Sequence, residues 1–92
     1  MGIFDIVSFL TPFFTGHGVP HLAAEADAWI KERGEDYPDA KARADALRAF
    51  LSEKVAAAGL DAEGMKATLT GLAEDVVRGH GGVDPQVWQG GV

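Results

Sequence analysis

Between the Gly34–Pro38 break and Gly59, apolar side chains recur at Ala40, Ala44, Leu47, Leu51, Val55 and Ala58, always three or four residues apart. That interval follows the 3.6-residue turn of an α-helix and not the two-residue alternation of a strand, so it commits the middle of the chain to one amphipathic helix. Phe50 widens the stripe. Asp39/Arg43 and Lys41/Asp45 stand at i,i+4 on the outside, each pair contributing a few tenths of a kcal/mol. Gly59 suits the C′ position that ends the helix, with Leu60 folding back on it.

The same Gly and Pro punctuation divides the rest into three further helices and a tail. In residues 2–14 the polar Asp5, Ser8 and Thr11 draw one narrow stripe, and Ile3, Phe4, Ile6, Val7, Phe9, Leu10, Phe13 and Phe14 cover the remaining sides. Pro12 is expected to end or bend this helix near Thr11, because it lacks an N–H and restricts its predecessor. Thr15–Val19 is a connector. Pro20 opens a second helix, about 20–33, whose inner face carries Leu22, Ala23, Ala26, Trp29 and Ile30, with Gly34 as its C′ residue. Asp36 is the expected cap and Pro38 the expected start of the third helix. Asp61 is the expected cap of a fourth, striped by Met65, Leu69, Leu72 and Val76 and stopped by Gly79.

A link of about three residues makes the third and fourth helices an antiparallel hairpin, and the second helix can cover its open side. The expected fold is therefore all-α: a small helical bundle with a three-helix core over residues 20–78, an apolar N-terminal helix over residues 1–15 and a Gly-rich tail over residues 79–92. Within the tail, Asp84-Pro85 is suited to open a single helical turn that presents Val87 and Trp88.

Charge narrows the partners. Fourteen Asp and Glu against eight Lys and Arg leave a net charge of −6, which repels phosphate backbones, so nucleic acid is not expected and anionic lipid is disfavoured. There is no cysteine to form a disulfide or a thiolate site. No run of about 20 apolar residues is present to span a bilayer. The first basic residue is Lys31, so residues 1–15 lack the basic start of a secretory signal and read as mature protein.

Candidate chemistry is sparse. His17 and His21 have metal-ligand spacing, but Gly18 and Pro20 interrupt any helix between them and only Glu25 stands near as a third ligand. No metal or other cofactor is expected. Gly16-His17-Gly18-Val19-Pro20 has an echo in residues 79–85, read as two alike Gly-rich connectors ending in Pro. Glu35/Asp36 and Glu74/Asp75 read as solvated charge, Ser8 and Ser52 have no activating neighbour, and no catalytic residue or small-molecule substrate is expected. The aromatics say more. Four of the five phenylalanines lie in residues 4–14, Trp29 belongs to a helix face expected in the core, and Trp88 stands on the Gly-rich tail, where it either tucks onto its own domain or meets a partner.

Ala23-Ala24-Glu25-Ala26, the Lys-bearing helix from Lys41 through Val55, the link Gly59-Leu60-Asp61-Ala62-Glu63 and the run Gly71-Leu72-Ala73-Glu74-Asp75-Val76-Val77 together resemble the cytoplasmic helical region of LL-H-type phage holins over residues 22–78. The resemblance implies a phage origin and a helical adaptor-like domain. Such holins begin with a membrane-spanning segment, whereas the apolar start here is about 13 residues long and broken by Pro12. The functional expectation is a small non-enzymatic structural protein, an accessory component of a virion or another bacterial assembly, located in the particle or the cytoplasm. It would dock on a protein partner or on its own copies through Ile3, Phe4, Val7, Phe9, Leu10, Phe13, Phe14 and Trp88. The alternative is a peripheral protein of the membrane surface with a holin-like lysis role.

Overall fold

The computed structural model describes residues 5–80, and for His80 the backbone only. Four α-helices follow one another: α1 (Ile6–Gly16), α2 (His21–Arg33), α3 (Ala40–Ala57) and α4 (Lys66–His80), with one 3-10 turn at Gly34–Asp36. The protein is a small all-α bundle. α3 and α4 form the most extensive pairing and α1 and α2 the next, while α2 borders α3 and α1 closes the ring against α4.

α1 starts at Asp5, whose carboxylate accepts the Val7 N–H at 3.1 Å, the Ser8 N–H at 3.3 Å and the Ser8 hydroxyl at 2.7 Å. The helix does not stop at Pro12. It runs through the proline to Gly16, because Pro12 lies on the exposed side, where the Ser8 carbonyl that loses its partner faces water rather than the core. The helix ends instead at Gly18, which takes φ +79°, a value costly for any residue with a Cβ. There the Val19 N–H donates to the Phe14 carbonyl (2.9 Å) and the Gly18 N–H to Thr15 (3.0 Å), a Schellman motif that tucks Val19 into the core.

α3 ends the same way. Gly59 has φ +86°, the Leu60 N–H reaches the Val55 carbonyl at 2.9 Å and the Gly59 N–H reaches Ala56 at 3.0 Å. The cap of α3 is Asp39, accepting from the Ala42 N–H at 3.0 Å, and not Asp36, which sits in the 3-10 turn. Pro38 accordingly precedes the helix. Gly34 is not left-handed either: at φ −57° it carries α2 directly into that turn. Asp61 caps a turn rather than α4 itself. Its carboxylate accepts the Gly64 N–H at 3.0 Å and occupies the space a Cβ on residue 64 would need, so the link between α3 and α4 runs from Ala58 to Met65.

One buried cluster draws on all four helices. Leu10 and Phe14 of α1, Leu22 and Ile30 of α2, Leu47, Leu51 and Val55 of α3, and Leu69 and Val76 of α4 are all fully enclosed. Burial therefore does not follow the expected division into a compact unit of residues 20–78 with residues 1–15 outside it. α1 supplies Ile6, Leu10 and Phe14 to the same core, because the small Ala23 and Ala26 of α2 leave room for large side chains. The described residues contain no buried polar side chain without a partner, as expected of a native interior.

Candidate functional site

The expected docking residues divide three ways. Leu10 and Phe14 are fully buried within the chain's own core, so they are not free to meet a partner while the fold is intact. Val7, Phe9 and Phe13 are half-buried against that core. Phe13 meets Phe14 edge-on at 5.1 Å and tilts against the His17 ring at 4.7 Å. Ile3, Phe4 and Trp88 lie outside the described residues. α1 therefore presents a rim of apolar surface, much narrower than its composition suggests.

A second aromatic surface lies between α2 and α3, where the sequence pointed only to core. Trp29 lines it from α2, Phe50 from α3 and Tyr37 from the turn that joins them. The Trp29 ring stacks on Tyr37 with centroids 5.9 Å apart and planes 20° apart, and meets Phe50 at 6.0 Å. Trp29 is only 9% exposed, but that remainder looks outward. Tyr37 is 37% exposed, the most of any large apolar side chain among the described residues. Together they floor an open groove of about 570 Å3, continued by a shallower hollow of about 210 Å3 that shares Trp29, Arg33 and Phe50.

The groove is held in place from both sides. The Tyr37 N–H closes the 3-10 turn onto the Gly34 carbonyl at 3.1 Å, and the Arg43 Nε donates to the Tyr37 carbonyl at 2.9 Å. Pro38 restricts Tyr37 to an extended backbone, φ −122° and ψ 85°. Across the groove the Lys54 ammonium pairs with Glu25 of α2 at 3.3 Å and stands 5.4 Å from the Phe50 ring centre. At this exposure the ion pair contributes at most about 1 kcal/mol; its larger effect is to hold the rim of α3 against α2. Arg33 is different. It lies one turn beyond Trp29 on the groove wall, exposed, with no ion pair among the described residues.

These side chains offer aromatic faces, two cations and the carboxylate of Glu53. Such a surface binds by stacking, by apolar contact and by cation–π attraction. The sequence held a signal for it: Trp29/Arg33 and Phe50/Lys54 each set an aromatic and a cation four residues apart, the spacing that puts both on one helix face. Tyr37 carried no such signal, since its place depends on the turn.

His17 sits at the end of α1 and His21 at the start of α2, both exposed, and His21 approaches Glu25 at 3.7 Å. Among the described residues no three His, Asp or Glu side chains gather as a metal would require. No described helix is long and apolar enough to cross a membrane. Comparison with family models, with curated proteins and with solved structures finds no match for this chain, so the likeness of residues 22–78 to the holin helical region rests on the residues that suggested it.

Proposed function

We propose that this chain is a small non-enzymatic interaction protein, an accessory component of a phage particle or another bacterial assembly, and that its principal docking surface is the α2–α3 groove. The observation that carries the reading is the row Tyr37, Trp29 and Phe50, three aromatic rings side by side on an open groove. Aromatic residues and Arg concentrate binding energy at protein interfaces, and a small bundle gains little stability from leaving Tyr37 in water. The half-buried Val7, Phe9 and Phe13 form a secondary contact on α1.

The test compares the two surfaces. Tyr37→Ser with Arg33→Ala changes the groove and leaves the core intact; Phe9→Asp with Phe13→Asp changes the α1 rim. The groove variant is expected to stay helical and to drop out of its native assembly, with loss of the crosslinks that residues 29–54 make there, while the α1 variant keeps them. Retention of the groove variant alongside loss of a folded α1 variant would move the docking surface to α1. Liposome flotation that fails only in the α1 variant would favour the membrane-surface role.

A further inference from the structure

We infer that the partner received by the α2–α3 groove is a second copy of this chain, laid across it antiparallel about a two-fold axis so that Arg33 of each copy meets Glu53 of the other. This rests on the groove being the docking surface proposed above, and it adds the identity of what docks there.

The groove has two unlike ends. Trp29 faces Phe50 across it and Glu25 pairs with Lys54. α2 and α3 therefore run antiparallel, and Arg33, one turn beyond Trp29, stands level with Ala46. Glu53 lies seven residues further along α3, or about 10 Å away along its axis. Both Arg33 and Glu53 are exposed, and neither has an ion pair among the described residues. Lys54, the other charge on the wide groove, is already held by Glu25. One end thus offers an uncompensated cation and the other an uncompensated carboxylate.

A partner of a single sign satisfies one end and repels the other. A surface with the same two charges in reverse order satisfies both, and a second copy turned by 180° presents that surface. A two-fold contact is self-complementary, so the Arg33–Glu53 pair forms twice. The same rotation accounts for Tyr37. It stands at the Arg33 end, 37% exposed, and the rotation carries it to Phe50 and Lys54 of the other copy. There it exchanges water for an aromatic ring and an ammonium. Halfway between the levels of Ala46 and Glu53, close to the axis, lies the exposed Ala49, a side chain small enough for two α3 helices to approach closely. Each copy carries a net charge of −6, but in physiological salt the repulsion between them is screened beyond about 8 Å, which leaves the contacts in the groove to decide.

Sedimentation equilibrium of the full-length chain, from micromolar to millimolar protein, tests this. The natural protein is expected to pass from 9.7 kDa to twice that mass as concentration rises. Arg33→Glu alone and Glu53→Arg alone each set like charges together at both contacts, and each is expected to weaken the dimer about tenfold or more. An equimolar mixture of the two variants has opposite charges at both contacts and should recover the dimer, a result that damage to the fold would not give. Circular dichroism checks that the helices remain. The chain has no cysteine, so Ala49→Cys supplies a single thiol, which should form a disulfide with its own copy on mild oxidation. A monomer at millimolar concentration, a dimer indifferent to both reversals, or one dissolved only by Phe9→Asp with Phe13→Asp would each overturn the second copy as occupant. In those cases, loss of the Tyr37→Ser/Arg33→Ala variant from its assembly leaves the groove as a docking surface for another protein, and retention there removes that reading as well. A charge-dependent dimer whose groove variant stays in its assembly upholds the dimer and confines the groove to it.

Discussion

The two hairpins solve one architectural problem with different side chains. α1 and α3 each start on an aspartate whose carboxylate accepts a backbone N–H, and each ends on a left-handed glycine with a Schellman pair. Between those ends they differ. α3 carries one apolar stripe on an otherwise charged helix of 18 residues, whereas α1 is apolar on most of its circumference over 11 residues. The difference shows that apolar composition is no measure of exposure. α1 sinks Ile6, Leu10 and Phe14 into the core and half-covers the rest, while the more polar α2–α3 face leaves an aromatic groove open to water.

The sharpest way to break this comparison is to cut into each core. Phe14 and Leu51 are both 0% exposed. Phe14→Ala is expected to cost about 3–5 kcal/mol and Leu51→Ala about 2–5 kcal/mol, against a total stability of about 5–15 kcal/mol for a domain. Both variants should melt in a single transition at lower temperature. If the first hairpin were an appendage on a self-sufficient unit, Phe14→Ala would instead leave the main transition where it was, with a small separate step below it.

Pro12 marks the next difference. A proline in a helix interior is about 3 kcal/mol less favourable than alanine, and this one is exposed. Pro12→Ala should therefore stabilise the protein, by up to about 3 kcal/mol less what the proline gains by restraining the unfolded chain. Equilibrium urea unfolding reads it directly. No change, or a loss, would mean that the backbone restraint at Pro12 is needed to seat α1 against α2 and α4.

Much of this was legible in advance. The stripes of α3 and α4 are read correctly because polar and apolar residues alternate at one period, and the stop at Gly59 because few other residues adopt a positive φ; Gly79, expected to stop α4, lies inside it instead. Pro12 misled because a proline is expected to interrupt a helix wherever it stands, although this one lies one turn after Ser8 on the polar stripe, where the lost hydrogen bond is least costly. Asp36 and Asp39 are equally good caps by type, and only the turn through Gly34 decides between them. The groove escaped for a further reason: Trp29 is a core residue by periodicity and by burial, and what makes its outer edge part of an open groove is Tyr37, whose place depends on how the Gly34–Pro38 turn is folded.

The two glycine turns allow a finer test. An added Cβ would meet nothing within 4 Å at either Gly18 or Gly59, so substitution isolates the backbone cost. Gly18→Ala and Gly59→Ala should each lose about 1–2 kcal/mol, whereas Gly16→Ala, inside α1 with nothing near its added Cβ, should gain up to about 1 kcal/mol. Equal losses in denaturant titrations would show that the two turns bear the same load. A much larger loss at Gly18 would show that its shorter link, from His17 to Pro20, leaves the first hairpin less able to relax.

The smallest expected effect lies at the start of α1. The Asp5 carboxyl is held below the usual aspartate range, first by the Ser8 hydroxyl, then by the Ser8 and Val7 backbone N–H groups, with a weaker attraction from Lys31. Its folded-state pKa is thus lower than its value in the unfolded chain, about 3.9. The sign follows: the stabilisation is fully present above that unfolded value and is lost as pH falls through the lowered one, since a protonated carboxyl no longer accepts these bonds as an anion. The advantage of the natural protein over Asp5→Asn should hold between about pH 5 and 7 and shrink below about pH 4. Asp5 is fully exposed, so the difference is a shift in melting temperature of small size, read against pH. Ser8→Ala removes the largest single cause and should raise the Asp5 pKa toward its ordinary value in a carboxyl-carbon NMR titration. If that substitution leaves the titration unmoved, the Val7 and Ser8 backbone N–H groups and not the serine hydroxyl hold the charge, and α1 would then be capped as α3 is at Asp39, by backbone donors alone.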